Sequence, residues 1–77
     1  MTNTAKLKGR IVEKGYTLSS FSAAIGLSKP TLRAKINNII EFKASEIEKI
    51  CGLLEISFVE SRDYFFANSV PVSETLH

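Results

Sequence analysis

The sequence predicts an all-α domain, a compact bundle of about five short helices. Three observations carry that expectation. Apolar residues recur at helical spacing, as in Leu7 and Ile11, Phe21 and Ile25, Leu32 and Ile36, and Ile50 and Leu54. A boundary device repeats, in which one apolar residue precedes a cap position and a second follows five places after the first. It occurs at Tyr16 and Phe21, Leu27 and Leu32, and Phe42 and Ile47. Four glycines and two prolines in 77 residues leave few breaks between helices.

The first helix is expected from about Thr4 to Lys14, with Gly15 as its stop. The second starts from Thr17 as N-cap, with Tyr16 and Phe21 as a hydrophobic staple, and ends where Gly26 can take a positive φ. The third begins at Ser28 or Lys29. Ser28 is a good N-cap, whereas the residue before Pro30 avoids α geometry and could itself be the cap. Pro30 falls in the first turn, where its missing N–H costs nothing. Asn37 and Asn38 close this helix.

The fourth helix has Lys43 as N-cap and Glu46 at N3, reaching back to the cap's N–H. A lysine side chain accepts no hydrogen bond, so this start is under-capped. Ile47, Ile50, Cys51 and Leu54 form its apolar face, with Cys51 read as a core residue. Ser57 and Glu60 fit a capping box for a fifth element, in which Phe58, Tyr64, Phe65 and Phe66 supply bulky closing side chains. Residues 1–66 thus read as the domain. Residues 67–77 have no helical period and read as a flexible tail or an extended arm, to which Val70-Pro71-Val72 could contribute.

Composition excludes several classes. No apolar run reaches the ~20 residues that cross a bilayer, and Met1 to Arg10 has no secretory h-region. One cysteine, Cys51, gives no disulfide within the chain. With a single histidine, His77, the sequence suggests no metal site, no cofactor and no His-based catalytic centre. No convergent acid–base pair can be named, so an enzyme is not expected.

The charge is divided unevenly. Residues 1–43 hold eight Lys and Arg against two Glu, and residues 44–77 hold two against six Asp and Glu. Such segregation suggests one surface that faces a polyanion and another turned away from it. Solvated faces that segregate by accident would give the same count.

The stretch from Thr17 to Asn38 is the informative one. A helix of about eight residues, a turn built on Gly26-Leu27-Ser28, and a second helix with a polar opening make the layout of a helix-turn-helix. Ser22 is small where the two helices approach. Residues Thr17 to Leu32 resemble the Cro/repressor-type helix-turn-helix proteins of temperate phages and their bacterial relatives, the XRE family. Lys35-Ile36-Asn37, Phe42, the run from Ile47 to Ser57 and the ending Tyr64-Phe65-Phe66 also match. The resemblance covers about residues 5–66. Two positions depart from the pattern. Ser22 stands where the family usually has alanine, and Lys35 where many members have an apolar residue.

This resemblance implies a lambda-repressor-like bundle whose third helix, residues 29–37, enters the major groove of an operator. Side-chain chemistry is compatible with that. Lys29 and Arg33 are four apart and share a face. Arg33 can give two hydrogen bonds to guanine, and Lys29 can contact guanine or a phosphate. Thr31 can donate, accept or place its methyl on thymine, and Pro30 and Ala34 can pack on thymine methyls. Phosphate contacts are expected from Thr17, Ser19, Ser28, Lys35, Asn37, Asn38 and Lys43.

A phosphate at the under-capped start of the fourth helix would accept its free amides and pair with Lys43. The implied function is a sequence-specific transcriptional regulator of Cro type in the bacterial cytoplasm. It would bind double-stranded operator DNA as a homodimer, at least on the DNA, because one such motif covers a half-site. The alternative is an antirepressor that binds a phage repressor protein instead of DNA, using the acidic half and the Tyr64-Phe65-Phe66 cluster.

Overall fold

A computed structural model describes residues 1–66. The readings placed on residues 67–77, including the arm of Val70-Pro71-Val72 and the terminal His77, lie outside the described residues. Five helices follow one another without a strand among the described residues. They are α1 (Thr4–Glu13), α2 (Leu18–Ile25), α3 (Lys29–Ile36), α4 (Ala44–Leu54) and α5 (Phe58–Phe65).

Local chemistry sets most of the boundaries. Asn3 caps α1 by accepting from Lys6 N–H, a cap not foreseen in the sequence. Thr17 and Ser20 form a reciprocal box at the start of α2, and the Tyr16 and Phe21 rings meet edge to face at 5.1 Å. Gly26 ends α2 with φ of 79°, the left-handed region that glycine enters without a Cβ clash. Ser28, not Lys29, caps α3, and Pro30 sits in its first turn. Lys43 begins α4 without a side-chain cap bond, and only the Glu46 half of the box forms, from Lys43 N–H to Oε1 at 2.8 Å. Ser57 and Glu60 complete the predicted box of α5.

The helices bury one core made of Leu7, Ile11, Phe21, Ile25, Leu32, Ile36, Ile50, Leu54, Ile56, Tyr64 and Phe65. At ~25 cal/mol per Å² of apolar surface removed from water, this burial is the main term that holds so short a chain together. Helix α3 packs most closely on α2 and also touches α1, while α4 rests on α2 and α5. Ser22 is buried, and its hydroxyl donates to Ser19 O at 2.8 Å, so its polar atom is satisfied inside its own helix.

Two expectations about the core are corrected. Phe58 is 88% exposed and Phe66 is also exposed, so neither closes the core. The capping box sets the phase of α5: Ser61, Tyr64 and Phe65 face inward at a helical spacing that leaves Phe58 and Val59 outside.

The N-terminal residues act as a strap. Asn3 N–H donates to Tyr64 O at 2.8 Å, Thr4 Oγ1 to Ile36 O at 2.7 Å, and Thr2 exchanges two bonds with the Asn38 side chain. These contacts fasten the ends of α3 and α5 to the start of α1.

Candidate nucleic-acid interface

The burial pattern of α3 divides its residues cleanly. Leu32, Lys35 and Ile36 are buried, whereas Lys29, Pro30, Arg33 and the capping Asn37 are exposed. Lys29, Arg33 and Asn37 recur every four residues and form one outward strip, with Thr31 and Ala34 half-buried at its edge. Of the sequence-predicted base-contact set, Lys29, Pro30 and Arg33 are exposed on α3, and Thr31 and Ala34 are half-buried.

The pairing of charges sharpens the strip. Three cations of the basic half are held by acidic groups. Arg10 reaches Glu13 and also donates to the carbonyls of Leu54 and Glu55 at the end of α4. Lys14 pairs with Glu55, and Lys35 with Glu46. Lys29, Arg33 and Lys43 are exposed and have no carboxylate within ion-pair distance among the described residues. The positive charge left uncompensated by the fold thus includes the outward strip of α3, whereas the charge of Lys43 at the start of α4 also acts on Glu46.

The hydroxyl groups at the helix starts are partly committed. Ser28 Oγ donates to Thr31 Oγ1 at 2.8 Å and accepts from Thr31 N–H, which leaves the Thr31 hydroxyl proton available to a ligand. Thr17 Oγ1 is engaged with Ser20. Ser19 and Asn37 are exposed.

Three expected phosphate contacts change. Lys35 is 5% exposed, buried with Leu32 and Ile36; its ammonium donates to Glu46 Oε1 at 2.5 Å. A buried ammonium needs such a partner, and this one turns Lys35 away from the strip. The Asn38 side chain is given to Thr2, accepting from its N–H at 2.8 Å and donating to its carbonyl at 2.9 Å, so it serves the strap instead of a phosphate. Asn38 itself has φ of 65°, a conformation that asparagine tolerates better than most residues. Lys43 keeps its exposed ammonium, but its N–H is already taken by the Glu46 carboxylate, so a phosphate cannot use that amide.

Glu46 is the site residue whose weight the sequence understates. Its burial opposes ionisation, yet hydrogen bonds from the Lys35 ammonium and the Lys43 N–H, with both positive charges, outweigh this and hold its carboxyl below the ordinary 4.5. Glu55 is lowered as well, chiefly by its bond from Lys14. Burial raises the Cys51 thiol, which is half-buried against the core.

A second surface lies beside the end of α3. Met1, Ile39, Ile40 and Phe66 are exposed and line a shallow groove of about 440 Å³ with Phe42, Ile47 and Phe65. Of the predicted aromatic cluster, Tyr64 and Phe65 are buried and Phe66 is exposed.

These features define a small all-helical domain in which two helices, joined by a three-residue turn, pack closely and present one basic strip. Residues 2–68 match the model of a family described as a protein of unknown function, DUF739, and the chain belongs to that family. The match spans all five helices. No curated protein matches the chain. No helix among the described residues is long and apolar enough to cross a membrane.

Proposed function

We propose that this protein is a sequence-specific DNA-binding regulator of Cro/repressor type, with α3 in the major groove of a double-stranded operator. The observation that carries this reading is the outward strip of α3. It combines Lys29 and Arg33, free of internal carboxylates, with Thr31, Pro30 and Ala34 beside them. An Arg fork reads guanine, while threonine and small apolar groups read thymine methyls. Thr17, Ser19, Ser28, Asn37 and Lys43 stand at helix ends, where phosphate contacts would fix register. The resemblance of the Thr17–Leu32 segment to phage and prophage regulators supports the same reading. On this reading the protein acts in the cytoplasm of a bacterium or an infected host.

One strip covers one half-site, so two copies are expected on a roughly palindromic operator. Selection of bound sequences from a random duplex library, followed by a salt titration, tests this. Enrichment of paired half-sites with a steep salt slope is the expected result. Flat selection with weak low-salt binding would refute it. A protein-binding reading, as an antirepressor against a phage repressor, draws on the exposed Met1, Ile39, Ile40 and Phe66. Capture of a repressor in the absence of any selected duplex would favour it.

A further inference from the structure

We propose that Lys35 is a positioning residue, which acts through Glu46 to hold the reading strip of α3 in register with the phosphate anchor at Lys43. The inference rests on the DNA-binding reading above. Lys35 is buried on the inward side of α3, whereas Arg33 is exposed on its outward strip. Lys35 is 5% exposed, and its ammonium donates to Glu46 Oε1. The same oxygen accepts Lys43 N–H at 2.8 Å.

Helix α3 packs on α1 and α2, whereas α4 packs on α2 and α5. Among the described residues, the Lys35–Glu46 bond is the only side-chain hydrogen bond that joins α3 to α4. One carboxylate oxygen therefore fixes two things, the roll of α3 and the backbone of Lys43.

Stability alone is a poor explanation for this pair. Replacing a buried ion pair by apolar groups of similar size is often neutral or stabilising. An apolar contact at position 35 would tolerate sliding, because it has no preferred direction. An ammonium held by one acceptor is sensitive to distance, so the pair specifies where α3 sits more than how strongly it is held.

The test uses the full chain and the variants K35M and K35M/E46L. Residual dipolar couplings of the α3 and α4 amides give the relative orientation of the two helices without DNA. Affinity for the duplex enriched by the wild-type protein is then measured across a salt series. Both variants are expected to fold and to change the α3–α4 orientation. Each should lose affinity on the order of tenfold at fixed salt.

An unchanged orientation would overturn the proposal. So would an affinity for that duplex within twofold of the wild type at the same salt. If K35M unfolds because Glu46 loses its ammonium partner, the double variant, which has no lone charge, carries the readout. Unfolding of the double variant too would overturn the proposal by making the pair a requirement of folding. A wild-type protein that selects no duplex refutes the DNA reading instead, and the couplings still decide the role of Lys35.

Discussion

Arg33→Ala separates DNA recognition from folding because the structure gives the side chain no internal duty. Arg33 is exposed, and no carboxylate pairs with it among the described residues. Its backbone N–H and C=O keep their helical places in the variant, and alanine is the best helix former. The stability change should therefore stay within about 0.5 kcal/mol, the usual range for a surface position. On DNA the loss should be much larger. A bidentate arginine–guanine contact contributes roughly 1–3 kcal/mol, so affinity for the selected duplex should fall about 5- to 150-fold.

The assay is fluorescence anisotropy with that duplex and with one in which the contacted guanine is replaced. The wild type should discriminate between the two, and the variant should lose most of that discrimination. An affinity within twofold of wild type at the same salt would refute the assignment of α3 as the reading element. An equal loss on both duplexes would make Arg33 a phosphate contact.

Lys43→Ser should move stability and binding in opposite directions. Serine supplies the cap acceptor that lysine lacks, raising stability by about 1 kcal/mol in a denaturant melt, while loss of the exposed charge should weaken DNA binding and lower the salt slope. Gly9→Ala and Gly52→Ala lie inside α1 and α4 with open space at the new Cβ, so each should add about 0.8–1.0 kcal/mol and raise the melting temperature by several degrees. Gly26→Ala meets equally open space but has φ of 79°, so it should cost about 1–2 kcal/mol, and a rise in its melting temperature would contradict the turn geometry. Acid should weaken the Lys35–Glu46 link. Because the folded-state carboxyl of Glu46 is lowered, its contribution is present above the unfolded value of 4.5 and is lost as pH falls through the lower folded value. Glu46→Gln should accordingly flatten the fall in stability below about pH 4.5, compared by denaturant midpoints from pH 7 to 3.

Much of the fold was legible because its boundaries are written in local chemistry. The staples at Tyr16 and Phe21, Leu27 and Leu32, and Phe42 and Ile47, with the capping groups of Thr17, Ser28, Glu46 and Ser57, involve residues a few places apart. Short-range bonds of this kind need no knowledge of the tertiary fold. The outward strip of α3 was legible for the same reason, since a four-residue spacing fixes which side chains share a face. Asn3 escaped notice because no hydrophobic staple marks it. The Thr2–Asn38 and Arg10–Leu54 contacts join residues 36 and 44 positions apart, and no periodicity announces them.

Lys35 shows where such reading stops. By residue type it is a cation in a basic segment, and by position it is one residue before a core isoleucine. Charge predicts an outward side chain, and helical phase predicts an inward one. The phase prevails because Glu46, eleven residues on, supplies a carboxylate at the depth where the ammonium ends. Glu46 was itself legible as a capping residue, but its second partner depends on how α3 and α4 come together. The same ambiguity, resolved the other way, leaves Phe58 outside: residue type predicts burial, while the cap at Ser57 sets a helical phase that exposes it. In both cases the side chain follows the phase of its helix, which the caps had already set. For a basic segment in a small helical domain, the cations that remain for a ligand are therefore those on the outward phase, here Lys29 and Arg33 on α3, and not simply those that the sequence contains.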